Sequence, residues 1–234
     1  MMMRMTALET TDPQDELFDV LDADGRPVGV AKPRRAVHRD GDWHAALHIW
    51  VGGVGADGEP FVVFQRRSAT KDTFPGLLDV SVGGHLRSGE TLAETVREAE
   101  EEIGVQLELA ELTRIGRRRV DVRLPDGWDR EIQDVYAVRR DLPLATYRMH
   151  PEEVSGLLAL PIGEALALFE GERPALEGRE RGRDGSEHVV QLTSAAFVPF
   201  VGDYPQHALR GLRSVILRQP VTPFQLWQDR RVPQ

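Results

Sequence analysis

Residues Gly83 to Val105 read GGHLRSGETLAETVREAEEEIGV, with glutamates at positions 90, 94, 98, 100, 101 and 102. Leu92, Val96, Ala99 and Ile103 recur at helical spacing and fall on one stripe at about 100° per residue, which predicts a helix over 92–103 packing this stripe on a sheet. Gly104 stops it, because a residue without Cβ adopts the left-handed C-terminal position freely. Glu98, Glu101 and Glu102 stand at i, i+3 and i+4, so their carboxylates converge on another face and repel one another by a few tenths of a kcal/mol per pair. A solvated face explains most glutamate runs. Here, however, a glycine turn brings bare backbone to the carboxylates, and hard divalent cations bind through carboxylates, carbonyls and retained waters. The stretch predicts a metal platform for diphosphate chemistry.

Working outward, strands surround this helix. LFDVLDADGRPVGVAK has two apolar runs about Asp24-Gly25, the turn chemistry of a hairpin. AALHIWVGGVGADGEPFVVFQRR predicts strands near 46–52 and 60–67, and RIGRRRVDVRLPDGWDREIQDVYAVRR two more about Pro125-Asp126-Gly127. A second amphipathic helix is expected near 161–170. GERPALEGRERGRDGSEH, charged and glycine-bearing, reads as a loop. The division is a mobile tail over 1–14, a catalytic domain over 15–171, and an extension over 172–234 that packs on the domain or serves dimerisation.

The 234 residues are 41% hydrophobic and 29% charged, enough for one domain plus an extension. A net charge of −9 gives no general footprint for a nucleic-acid backbone, so an anionic substrate needs local help such as a metal ion. The absence of cysteine removes disulfides, thiolate metal sites and cysteine nucleophiles. MMMRMTALETTDPQDE has no apolar signal-peptide core, and no later stretch approaches the roughly 18 apolar residues of a membrane span. The expectation is a cytoplasmic protein with no membrane or nucleic-acid partner.

Gly84, Glu90, Arg97, Glu98, Ala99, Glu101, Glu102, Gly104 and Val105 match in type and order the Nudix box, GX5EX7REUXEEXGU with U aliphatic, and on these positions the chain resembles the Nudix hydrolases. It departs once: six residues rather than seven separate Glu90 from Arg97. A missing residue turns Glu90 by about 100° relative to the helix unless the preceding loop absorbs it. The resemblance implies an α/β fold, an α/β/α sandwich whose mixed sheet carries the box as loop-helix-loop. It implies Mg²⁺ or Mn²⁺ on Glu98, Glu101 and Glu102 with the Gly83 carbonyl, Arg97 orienting the glutamates, and Glu90 as partner of Arg97. Glu90, Arg97 and Glu101 are thus the candidate catalytic residues.

LFDVLDADGRPVG, AVHRDGDWHAALHIWV and QRRSATKDTFPGLLDVSVGGH are similar to the isopentenyl-diphosphate isomerase branch of that family, over roughly residues 16–140. The isomerase uses a cysteine where Gly83 stands here, so isomerisation is disfavoured. His38, His44 and His85 lie near positions where the isomerase binds a metal, and Glu131 near a carboxylate it uses; a second metal or a proton-transfer role is one reading, and polar residues hydrogen-bonded at strand ends or lining a substrate cleft the favoured one for each. Glu131, Glu152 and Glu153 are the candidates for general base, Glu152 and Glu153 equally serving as helix N-terminal charges. Arg66, Arg67 and His85 are candidates for substrate binding. Arg117, Arg118 and Arg119 read as a solvated strand, and Trp50, Trp128 and Phe74 as core aromatics rather than base-stacking ones.

The expected activity is metal-dependent hydrolysis of a diphosphate bond in a small nucleotide or related nucleoside-diphosphate-linked substrate. Prenyl-diphosphate isomerisation and a catalytically silent nucleotide-binding module are the alternatives, and a homodimer is an expected assembly.

Overall fold

The computed structural model describes residues 10–124 and 127–229. Its strands are β1 (Leu17–Leu21), β2 (Pro27–Pro33), β3 (His44–Val54), β4 (Pro60–Arg67), β5 (Leu78–Asp79), β6 (Val82–His85), β7 (Thr113–Leu124), β8 (Gly127–Arg139), β9 (Val154–Pro161), β10 (Leu176–Gly182), β11 (Glu187–Leu192) and β12 (Phe224–Asp229). The helices are α1 (Arg34–Asp40), α2 (Leu92–Thr95), α3 (Glu98–Ile103), α4 (Ile162–Phe169) and α5 (Tyr204–Ile216). β1 and β2 pair antiparallel about Asp24-Gly25, as the turn chemistry predicts, and Gly25 takes the positive φ that the turn requires. Pro125 and Asp126 of the other anticipated turn lie outside the described residues.

The remaining strands form one mixed sheet in the order β11-β10-β9-β4-β3-β8-β7-β12, with β5 on β4 and β6 on β3. β3 lies parallel to β8, and β12 parallel to β7. One edge of β3 is shared: Ala46–Ile49 pair with β6 and Gly52–Val54 with β4. The sheet forks there, and the fork delivers Gly83-Gly84-His85 to the site. Period-2 alternation along β3 supplies both faces. Leu47, Ile49 and Val51 pack with Val96, Ala99 and Ile103, while Trp50 packs with Leu209, Leu212 and Ile216 of α5. This is the expected helix, sheet, helix layering. Among the described residues no helix is long and apolar enough to cross a membrane.

Three expectations change. The helix over 92–103 is two helices, α2 and α3, joined through Val96-Arg97. The bonds there tighten to the i−3 pattern, Arg97 N–H to Glu94 O and Ala99 N–H to Val96 O, both 3.1 Å. Fewer residues per turn is how this segment accommodates the shortened box. The apolar stripe survives, with Val96, Ala99 and Ile103 buried. The loop anticipated across 171–188 is instead the β10–β11 hairpin, turning at Asp184-Gly185 with Gly185 at φ 82°. Its alternation is hidden in the sequence because the inward residues are Leu176, Gly178 and Glu180, and a buried glutamate reads as a surface one. Residues 10–14, assigned to a mobile tail, are tied down: Asp12 is buried and holds Lys71 Nζ at 2.5 Å.

The extension contributes α5 across one face and β12 to the sheet's edge on β7. Gly116 on β7 admits that edge, because a Cβ there would lie 2.4 Å from the Phe224 ring. Gly116→Ala is expected to cost about 2 kcal/mol in urea unfolding, the usual scale of overpacking. An unchanged midpoint would show that β12 does not press on β7 in solution.

Candidate functional site

Thr91 opens α2 with a reciprocal capping box to Glu94, and Gly104 closes α3 in the left-handed conformation. Between them the carboxylates gather on Arg97. Its Nε donates to Glu90 Oε1 at 3.0 Å, and its Nη1 to Glu98 Oε1 at 2.6 Å and Glu101 Oε2 at 2.5 Å. The pairing of Glu90 with Arg97 therefore persists despite the missing residue. Glu102, deepest of the group at 5% exposure, accepts from Gln65 Nε2 at 2.9 Å and from the Gly83 N–H at 3.2 Å, both on Oε2. Gly84 has a steric reason for being glycine: a Cβ there would sit 2.4 Å from Glu98 Cγ.

These carboxylates are held at electrostatic cost. Burial, then Glu101, pushes Glu98 up to about 7 against the pull of Arg97, and burial, then Glu98, pushes Glu102 well above the usual carboxylate range. A hard divalent cation fits such a set, since it offsets the repulsion and takes oxygen ligands. The cavity they line also holds Arg34, Lys71, Arg87, His150 and Glu153. Lys71 Nζ bridges Asp12 and Glu153 Oε2, each at 2.5 Å.

Of the base candidates, the structure brings Glu153 to this cavity, sets Glu131 behind His85, and leaves Glu152 exposed outside it. Arg66 does not reach the site: its guanidinium forks onto Glu180 at 2.6 and 2.5 Å, with Nη1 on the Gly76 carbonyl. Arg67 lines a neighbouring cavity, engaged with Asp79 at 3.1 Å and with Thr73.

His38, His44 and His85 are not separate strand-end residues, as favoured from sequence, but one cluster with Asp129, their ligating atoms all within 4.8 Å of one another. His85 Nε2 meets Glu131 Oε1 at 2.8 Å, and Arg34 Nη1 lies 3.3 Å from His85 Nδ1. His38 Nε2, His44 Nε2 and Asp129 Oδ1 are buried without a hydrogen-bond partner. Burial first, then His85, lowers His38 to about 4 and His44 to about 3, so both imidazoles are neutral ligands with free nitrogens. This donor set fits a second divalent cation. Asp129 was missed; its place two residues before Glu131 on β8, on the same face of a strand, was the available signal.

Arg118, expected in solvent, is buried, whereas its neighbours Arg117 and Arg119 are half-exposed. Trp50 is core, its Nε1 donating to Tyr204 Oη at 3.0 Å. Phe74 lines the same cavity as Arg67, and Trp128 lies under the Arg123 guanidinium, 3.7 Å from the ring centre.

Residues 46–178 match the family model described as NUDIX domain. A Nudix hydrolase of Clostridium acetobutylicum is 32% identical over 204 residues, covering 85% of this chain and 98% of that one. Nudix hydrolase 3 of Arabidopsis thaliana is 37% identical over 166 residues, 69% of this chain but 21% of the plant protein. Isopentenyl-diphosphate Delta-isomerase of Clavibacter sepedonicus is 39% identical over 99 residues, 42% of this chain and 50% of that protein. With its glutamates gathered on one arginine at the end of a glycine strand, and a family match across more than half its length, the chain belongs to the Nudix hydrolases, enzymes that cleave phosphorus-containing anhydrides.

Proposed function

We propose that this Nudix enzyme hydrolyses the diphosphate bond of a small nucleotide or related nucleoside-diphosphate-linked substrate, using Mg²⁺ or Mn²⁺ on Glu98, Glu101 and Glu102. Glu98 and Glu101 converging on Arg97, with Glu102 held beside them by the Gly83 N–H, carry the reading. A cation held there supplies charge neutralisation to the diphosphate oxygens. Arg97 fixes Glu98 and Glu101, and Lys71 holds Glu153 in place in the same cavity. Glu153 is the general base of choice, its carboxylate accepting the proton of a water whose oxygen attacks phosphorus as the anhydride P–O bond breaks. The histidine cluster is a second candidate metal centre.

The test is product analysis by mass spectrometry in ¹⁸O-water, across nucleoside, coenzyme, thiamine and prenyl diphosphates, with Mg²⁺ or Mn²⁺ and with EDTA. The expected outcome is metal-dependent release of a phosphate-bearing product with one ¹⁸O. Glu153→Gln is expected to lower kcat about 100-fold, the range of general-base catalysis. Binding without turnover across the panel would favour the silent module. Dimethylallyl diphosphate formed from its isomer with no loss of phosphate would favour isomerisation, which the glycine at position 83 opposes.

A further inference from the structure

The cavity on the other side of Gly83, Gly84 and His85 is lined by Arg118 and Val120 of β7, His48 of β3, and Phe200, among others. It shares those three residues with the carboxylate cavity, so the partition consists largely of glycine backbone. A substrate held by its diphosphate on one side has room to extend past the glycines into the other.

Two donors line it. Arg118 is 4% exposed, and its Nε and Nη1 are buried with no hydrogen-bond partner. Its guanidinium carbon lies 3.8 Å from the centre of the Tyr204 ring, which seats the planar fork without neutralising it. Of the carboxylates that line the chamber, Asp79 is engaged with Arg67 and Glu131 with His85 and Gln133, while Asp129 belongs to the histidine cluster. Burial lowers the Arg118 pKa from its ordinary value, but an arginine stays protonated in a protein. The second donor is His48. Tyr204 Oη accepts from Trp50 Nε1 and lies 2.7 Å from His48 Nδ1. With Tyr204 as donor in that bond the imidazole carries its proton on Nε2, which lies 3.8 Å from where a Gly83 Cβ would stand. Val120, Val122, Val198 and Phe200 form an apolar part of the wall, and Arg67, Asp79, Asp129, Glu131 and Gln133 a polar part.

We infer that this chamber receives an oxyanion, a carboxylate or a phosphate, carried on the part of the substrate beyond the scissile diphosphate, with the Arg118 fork as its receptor and His48 Nε2–H as a further donor. A buried, unpaired guanidinium is costly, and a planar two-oxygen anion is the partner its fork fits. The inference rests on the diphosphate reading above, because that end anchors the ligand. It narrows the substrate to organic diphosphates that carry a second anionic group beyond the scissile bond.

The test uses the full chain with Mg²⁺ and three methylene-bridged diphosphonates on one alkyl chain, ending in carboxylate, phosphate or methyl, with binding measured by calorimetry. One anionic-ended probe is expected to bind about 10- to 100-fold tighter than the methyl-ended one, the range of a charge-assisted pair, and which one does so identifies the anion. In Arg118→Met the preference is expected to vanish while the methyl-ended probe binds as before; in Arg118→Lys, which keeps the charge but loses the fork, it is expected to shrink. Arg118→Met is further expected to melt about 3 °C higher, because an unpaired buried charge is removed; a lower Tm would mean that Arg118 is structural. Equal binding of the three probes by the wild-type protein would overturn the chamber alone. Failure of all three to bind would overturn the diphosphate reading and the chamber with it.

Discussion

Glu102→Gln is expected to lower kcat for the diphosphate substrate about 1,000-fold and, in metal-free protein, to raise the thermal midpoint. The two effects have one origin. Glu102 is buried, and burial together with Glu98 pushes its carboxyl well above the usual range. A folded-state pKa raised above the unfolded value destabilises the fold at neutral pH, where the unfolded chain carries the charge freely. Glutamine is isosteric, and its amide oxygen can still accept from Gln65 and the Gly83 N–H, so the packing survives while the charge is lost. The charge is what a divalent cation needs; losing about 4 kcal/mol of transition-state stabilisation is roughly a thousandfold in rate. Glu101→Gln should lose turnover similarly without a gain in stability, its carboxylate being half-exposed. Steady-state kinetics with and without Mg²⁺, alongside calorimetry of both variants, decide the matter. Wild-type rates in Glu102→Gln would remove it from the metal site.

Gly84→Ala should be nearly as damaging, although it adds one methyl and removes no charge. The new Cβ would stand 2.4 Å from Glu98 Cγ and 2.9 Å from its Cδ, well inside contact distance. Glu98 has little freedom to yield, because its carboxylate is already drawn to Arg97. Displacing a ligating or positioning group by about 1 Å costs on the order of 100-fold in rate. The expected pattern is a loss in kcat with far-UV circular dichroism unchanged, together with weaker Mn²⁺ binding by electron paramagnetic resonance. Intact Mn²⁺ affinity with a full rate would show that Glu98 relaxes freely and that this glycine is dispensable.

The strands and the packing face of the helix were legible in sequence because they depend on local patterns, and the layering followed from the family resemblance. Alternation marked β3 and β4, an Asp-Gly dipeptide marked the first hairpin, and the stripe from Leu92 to Ile103 marked the face that packs. The break at Val96-Arg97 was not legible. One residue fewer between Glu90 and Arg97 admits either a rotated Glu90 or a tightened backbone, and only packing against the sheet selects the second. Buried charge was the other blind spot. Glu180 and Arg118 sit on inward positions of β10 and β7, where composition alone reads solvent. Arg66 likewise follows an apolar strand and invites a phosphate, yet Glu180, from the segment that reads as a loop, claims it. His38 and His44 are near neighbours in sequence but His85 is not, and their meeting point exists only once β3, β6 and α1 are assembled.

Tyr204 begins α5, outside the 46–178 stretch that matches the family. Its hydroxyl lies 2.7 Å from His48 Nδ1 and its ring seats Arg118, whereas Glu98, Glu101 and Glu102 stand on α3. In the proposed reading, the helix that seats the Arg118 receptor comes from a different stretch of chain than the glutamates. Evolution can exchange the helix that selects the molecule without disturbing the residues that break it, and relatives alike in the glutamate segment but unlike after residue 178 should act on different compounds by the same reaction.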